Sequence, residues 1–186
     1  MKAFDRLLQS WRIAKTRPYI RMGASVLDVG CADGALFRML KSQISRGVGI
    51  DSHIGESAQV DRCKLIQGQF PEDLRDEDPF DVITMLAVLE HVPPEHQVGL
   101  AVACSRVLKP QGYLVITVPS PKVDPILNLL KRLRIIDGMS LEQHYGFEPN
   151  QIPSIFGKTG LKLIEIRKFQ LGLNNLYLFQ KDTVAA

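Results

Sequence analysis

Residues 25 to 34 read Ser-Val-Leu-Asp-Val-Gly-Cys-Ala-Asp-Gly, and no other stretch of the chain constrains the fold as strongly. Ser25 to Val29 is a short, nearly all-apolar run stopped by Gly30, which reads as a strand buried on both faces. A glycine-bearing turn follows, and Ala35 to Lys41 then reads as a helix. A strand that is apolar on both faces must have neighbours in a sheet and helices covering it. The rest of the chain supplies them. Strands are predicted at Gly47–Ile50, Cys63–Gln67, Phe80–Leu86 and Tyr113–Val118, and helices at Glu95–Leu108, Asp124–Ile136 and Gln151–Lys158. The turn between Leu108 and Tyr113 is Lys-Pro-Gln-Gly.

The last two predicted strands, Leu161–Lys168 and Leu176–Lys181, have seven residues between them and no room for a crossover helix. They should therefore pair as a hairpin, with antiparallel pairing at one edge. The expectation is an α/β fold: a doubly wound, mostly parallel, seven-stranded sheet with an antiparallel C-terminal edge hairpin. Residues 1–186 should form a single domain. Phe4, Leu7, Leu8 and Trp11 follow helical spacing, so an amphipathic helix should open the chain within residues 1–24.

Composition narrows the function classes. The chain is 45% hydrophobic and 23% charged, which is ordinary for a folded domain. The longest apolar stretch, near Val82 to Leu89, is far too short to span a bilayer, and early charges argue against a secretory leader. The expected location is cytoplasmic. Cys31, Cys63 and Cys104 are widely spaced and suggest neither a disulfide framework nor a metal site. Net charge is +3, but residues 1–24 carry Lys2, Arg6, Arg12, Lys15, Arg17 and Arg21 against Asp5 alone. That basic segment is either a solvated helix face or a contact for an anionic partner.

Four segments carry the chemistry. In the first, Asp28 precedes the glycine turn, where a carboxylate suits a cationic ligand group such as an ammonium better than a pyrophosphate. The dinucleotide frame G-x-G-x-x-G would place its glycines at Gly30, Ala32 and Ala35, so two of its three positions fail. In the second, Asp51 ends Val48-Gly49-Ile50-Asp51, where an acid can accept both hydroxyls of a ribose. The third is Phe80-Asp81-Val82-Ile83-Thr84-Met85-Leu86 with Ala87-Val88-Leu89-Glu90-His91 after it. The fourth is Leu108-Lys109-Pro110-Gln111-Gly112-Tyr113-Leu114.

In this order and spacing the four segments resemble the class I S-adenosylmethionine-dependent methyltransferases, particularly the small-molecule type with a Leu-Glu-His-Val segment. The resemblance runs from about Gly23 to Lys181 and implies a Rossmann-like fold. It implies that Asp28, Gly30, Cys31, Ala32 and Gly34 line the methionine part of S-adenosylmethionine, with Asp28 near the ammonium. Asp51 would hold the ribose hydroxyls with Ser52 beside it. Gln69 and Phe70 would lie near the adenine, Leu86 and Ala87 would pass along the cofactor, and Glu90 would lie nearby. Two residues depart from the family pattern. Ala32 stands where glycine is frequent, and its methyl fits where φ is negative. Gln69 stands where Asp is frequent, and its amide carbonyl can still accept from the adenine amino group.

The implied reaction displaces a methyl group from a sulfonium in line, with the protein aligning the acceptor and excluding water. His144 and His91 are the candidate bases, with Tyr145 a weaker one, while His53 reads as incidental. Residues 120–148, with their apolar and basic helix Asp124–Ile136, are expected to form a lid over the substrate. The acceptor is expected to be a small molecule bearing a reactive O or N, and the basic helices would suit a lipid-linked or phosphorylated one and a peripheral membrane contact. Two alternatives are a non-catalytic S-adenosylmethionine-binding partner subunit and an RNA or protein methyltransferase. Against nucleic acid, Leu86-Ala87-Val88-Leu89 offers no amide to grip a base, and the chain shows no recognisable RNA-binding module.

Overall fold

In a computed structural model of the chain, residues 3–60, 62–120 and 148–183 are described. The predicted helix Asp124–Ile136 and the candidate residues His144 and Tyr145 lie outside them, as does nearly all of the lid segment.

The expected strands form one sheet. β1 is Ala24–Val29, β2 Ile44–Asp51, β3 Ala58–Val60, β4 Cys63–Gln67, β5 Phe80–Leu86, β6 Leu108–Pro119, β7 Leu161–Phe169 and β8 Asn174–Lys181. Their order is β3-β4-β2-β1-β5-β6-β8-β7. β1 pairs in parallel with β2 and β5, β2 with β4, and β5 with β6. β8 is antiparallel to both β6 and β7, as the short final connection requires. The sheet thus has eight strands where the sequence led us to expect seven. The extra strand, β3, is three residues long and antiparallel to β4. So short a strand has no readable alternation.

Two local readings are corrected. The Lys109–Gly112 turn lies inside β6, because Phe80 pairs with Leu108 and Val82 with Tyr113. A single residue of β5, Asp81, therefore faces the four bulged residues. A Cβ on Gly112 would stand 2.9 Å from the carbonyl oxygen of Asp81, so the bulge needs glycine there. The helix predicted at Gln151–Lys158 is a shorter one, Ile152–Gly157, preceded by a 3-10 turn at Pro149–Gln151.

Hydrophobic layers lie on both faces of the sheet. Leu27, Ile83, Leu100, Cys104, Phe156 and Phe179 belong to one cluster, where α3 (Pro94–Val107) and the Ile152–Gly157 helix pack. Val26, Val82, Leu36, Phe37 and Ile13 belong to the other, under α1 (Ala3–Thr16) and α2 (Ala35–Leu40). Alternate residues of β1 and β5 serve opposite clusters, which is the period-two signature of a strand covered on both sides.

The opening helix forms as expected, but a different face turns inward. Ile13 and Thr16 are fully buried, while Leu7 and Trp11 are 59% and 41% exposed. Position 16 satisfies its hydroxyl on the carbonyl of Arg12 at 3.0 Å, so a polar residue is accommodated inside. The amide of Gln170 donates to the carbonyl of Leu8 at 3.2 Å and ties the helix to the turn before β8.

Candidate active site

The carboxyl ends of β1, β2, β4 and β5 open into a cavity of ≈ 1580 Å³. A doubly wound sheet places ligands at this edge. Of the residues implied by the resemblance, Asp28, Gly30, Cys31 and Ala32 line it from the end of β1 and the following turn. Asp51 and Ser52 line it from the end of β2, Gln69 and Phe70 from the loop after β4, and Leu86, Ala87 and Glu90 from the end of β5 onward. Gly34 does not line it. That residue precedes α2 at φ +74°, with its α-carbon side facing Leu65.

The turn after β1 has to be open at Gly30. Its φ is +74°, and a Cβ there would stand 2.3 Å from Cγ2 of Val88. Ala32 meets the opposite condition from the one expected of it, because its φ is +46°. An alanine in the left-handed region carries about 1 kcal/mol of strain. The turn nevertheless holds, because the Ala32 amide donates to Asp51 Oδ2 at 2.9 Å. The other oxygen of Asp51 accepts from the His53 amide at 2.8 Å. Two backbone donors thus fix the carboxylate at the cavity wall, each using one lone pair of its oxygen and leaving acceptor capacity for a diol. The imidazole of His53 is 94% exposed, and its Nδ1 stands 3.5 Å from Asp51 Oδ1.

Asp28 lies deeper and is 4% exposed. Its Oδ1 accepts from the Thr84 hydroxyl at 2.6 Å. Burial pushes its carboxyl up to about 7, the Thr84 bond pulls it down, and the negative charge of Asp51 adds to the rise. A cationic group placed beside it would restore its ionised form. Burial also pushes the Cys31 thiol up to about 12, with Asp28 and Asp51 reinforcing the shift, so Cys31 does not present a thiolate to the cavity.

His91 lines the cavity half-buried, on the 3-10 turn Leu89–His91 that follows β5. Glu90 shares that turn and is 3% exposed. The wall contributed by α1 and α3 was not anticipated from sequence. Leu8, Gln9, Arg12 and Ile13 of α1 and His96, Gly99 and Leu100 of α3 form it. Among the described residues no group of His, Cys, Asp and Glu is arranged to hold a metal ion, and no helix is long and apolar enough to cross a membrane.

A parallel sheet in this order with an antiparallel final pair, and a cavity framed by Asp28, Gly30 and Asp51, define the class I S-adenosylmethionine-dependent methyltransferases. Comparison with known proteins agrees. A family model described as a methyltransferase domain matches residues 3–166, and the chain belongs to that family. Its cofactor is S-adenosylmethionine. The chain is 35% identical over 129 residues to a ubiquinone biosynthesis O-methyltransferase of Pseudomonas syringae pv. tomato, covering 59% of this chain and 55% of that protein. It is 27% identical over 165 residues to the protein of the same name from Nitrosococcus oceani, covering 78% and 68%. The chain spans about half the length of most of the curated relatives it matches. Among solved structures, a methyltransferase from Archaeoglobus fulgidus matches with a TM-score of 0.72 at 16% identity, covering 95% of this chain and 94% of that one. The N-methyltransferase NodS of Bradyrhizobium japonicum, in complex with S-adenosyl-L-homocysteine, matches with a TM-score of 0.62 at 16% identity, covering 97% and 88%. At such identities the likeness is one of fold.

Proposed function

We propose that this chain transfers the methyl group of S-adenosylmethionine to a hydroxyl oxygen of a small, lipid-linked aromatic acceptor. The observation that carries the reading is the doubly anchored carboxylate of Asp51 at one wall of the cavity with buried Asp28 in its floor. In this reading Asp51 receives the ribose hydroxyls with Ser52 beside it, and Asp28 receives the ammonium. Gly30, Cys31 and Ala32 pass under the methionine part, with Gly34 behind them setting the turn. Gln69 and Phe70 flank the adenine, and Leu86 and Ala87 run along the cofactor. When bound, the cofactor supplies a methyl group activated by a positive sulfur. The chain's own residues hold it, exclude water and orient the acceptor. Acceptor chemistry is carried over from the ubiquinone biosynthesis O-methyltransferases. His91 borders the acceptor side, and His144 remains a candidate base.

Calorimetric titration with S-adenosylmethionine, with NAD as control and Asp51→Ala alongside, tests the reading. Saturable binding of S-adenosylmethionine alone is expected, weakened about tenfold or more in the variant by loss of charge-assisted hydrogen bonds. Absence of binding at millimolar ligand would overturn it.

A lipid-linked acceptor is presented at a bilayer surface, and α1 suits one. Leu7 and Trp11 stand exposed with Arg6 on the helix whose other side lines the cavity, and exposed Arg17 follows directly after its end. Apolar residues flanked by cations match an anionic interface. Co-sedimentation with phosphatidylglycerol vesicles should exceed that with phosphatidylcholine vesicles and should fall in Trp11→Ser. Equal retention on both vesicle types would remove the membrane contact from the reading.

A further inference from the structure

Glu90 is a buried carboxylate that nothing among the described residues fully employs. It is 3% exposed, lines the cavity, and its Oε2 has no hydrogen-bond partner among the described residues. A carboxylate oxygen shielded from solvent and left without a donor is costly, and native structures keep such groups where a ligand supplies the missing partner. Its neighbours point to the kind of ligand. On the cofactor side lie Leu86 and Ala87, at the end of the same strand. Arg12 of α1 lines the same cavity and attracts Glu90 electrostatically. The carboxylate therefore shares the cavity both with Leu86 and Ala87, which the cofactor reading uses, and with Arg12, which it leaves free for an acceptor.

We infer that Glu90 is the general base of the reaction, accepting the proton of an acceptor hydroxyl at Oε2, and that Arg12 is a positioning residue that holds its carboxylate on the acceptor side. The inference rests on the methyl-transfer reading above and names the proton acceptor for it. The acceptor oxygen gives its proton to Glu90 and its electron pair to the methyl carbon, the carbon–sulfur bond breaks toward sulfur, and the proton later leaves Glu90 to solvent. The products are a methyl ether and S-adenosylhomocysteine. An acid is an effective base when its affinity for protons lies near the working pH. Burial pushes the Glu90 carboxyl up to about 7, while its own backbone amide and Arg12 pull it down. Other titratable groups lining the cavity are Asp28 from β1, Cys31 and Asp33 from the turn after it, Asp51 from β2, His53 and Glu56 from the loop after β2, Glu72 from the loop after β4, His91 on the same turn, and Glu95 and His96 from α3.

The probe is catechol, an aromatic diol whose ultraviolet absorbance reports the loss of its phenolic proton. It is titrated into the protein saturated with S-adenosylhomocysteine, above the pH of about 7 at which Glu90 loses its proton and below the pH at which the free probe ionises. Wild type should bind it and shift its spectrum to the phenolate. Glu90→Gln should bind S-adenosylhomocysteine as wild type does, bind the probe about tenfold more weakly and leave it neutral. Glu90→Asp should restore part of the phenolate signal, and Arg12→Met should shift the pH at which that signal appears. In methyl transfer to the probe, the rise in rate through about pH 7 should be present in wild type and absent in Glu90→Gln.

A phenolate spectrum unchanged in Glu90→Gln would overturn the proposal, and so would failure of wild type to bind the probe at millimolar concentration. A parallel fall in S-adenosylhomocysteine affinity would assign Glu90 to the cofactor instead. Failure of wild type to bind S-adenosylhomocysteine at all is a different result, and defeats the methyl-transfer reading itself.

Discussion

The two edges of the sheet treat their carboxylates in opposite ways. At the amino edge, Asp81 of β5 accepts from the Ser25 amide at 2.8 Å, the Ser25 hydroxyl at 2.7 Å and the Lys109 ammonium at 2.9 Å. The Ser25 hydroxyl in turn accepts from the Asp81 amide at 3.0 Å. Burial raises the Asp81 carboxyl somewhat, but the Ser25 donors and Lys109 outweigh it, and the net direction is down. At the carboxyl edge, Asp28 has one neutral side-chain donor and Glu90 keeps an unpartnered oxygen, and burial pushes both up to about 7. One edge uses its carboxylate to close β1, β5 and β6 together. The other holds carboxylates that the described residues leave incompletely paired. A pair of acids poised this way is what separates a binding edge from a structural one.

The contrast has a sign in pH. Asp28 and Glu90 hold protons more tightly in the folded chain than in the unfolded one. Their contribution to stability is present below their ordinary values and is lost as pH rises through about 7. Asp81 works the other way: its contribution is present above the ordinary carboxylate value and is lost as pH falls through its lowered value.

Asp28→Asn gives the largest expected effect. Removing the buried charge leaves a group of the same shape that still bonds Thr84. S-adenosylhomocysteine affinity should fall roughly hundredfold, as expected for losing a charge-assisted bond to the ammonium. The ligand-free protein should nonetheless be more stable at pH 8 than wild type, by on the order of 2 kcal/mol, with the gain gone at pH 4. Urea unfolding at the two pH values, beside calorimetry, reads both changes. A variant destabilised at pH 8 would place Asp28 with Asp81 among the structural acids and erase the difference between the edges.

Much of this was legible in the sequence, for a physical reason. Strands β1 and β5 are buried on both faces, so their apolar runs are unbroken and their ends are marked by Gly30 and by the change of pattern after Leu86. Cys63–Gln67 and Phe80–Leu86 lie where the pattern puts them. That Asp28 and Asp51 line the cavity was legible because both stand at the carboxyl ends of parallel strands, where a doubly wound sheet opens its crevice. The α1 wall was not legible. Which face of a helix turns inward depends on what it packs against, and Trp11 and Leu7 were stronger apolar signals than Ile13 and Thr16. Ala32 shows the same limit at one residue. Its positive φ is set by the bond from its amide to Asp51, a contact 19 residues away in sequence.

Asp81→Asn is the smaller and complementary test. The exposed Lys109 partner contributes little, since both side chains of the pair are over 40% exposed. The Ser25 bonds contribute most, and an asparagine can keep one acceptor toward them while presenting a misplaced amide donor. Stability should fall by about 1–2 kcal/mol at pH 7, and the deficit should shrink at low pH, where wild-type Asp81 is itself protonated. Affinity for S-adenosylhomocysteine should not change, because Asp81 stands at the far end of β5 from the cavity. Urea unfolding across pH, with calorimetry at pH 7, separates the outcomes. A loss of cofactor affinity in Asp81→Asn would mean that the two edges are coupled through β1 and β5, and that the structural acid also tunes the binding edge.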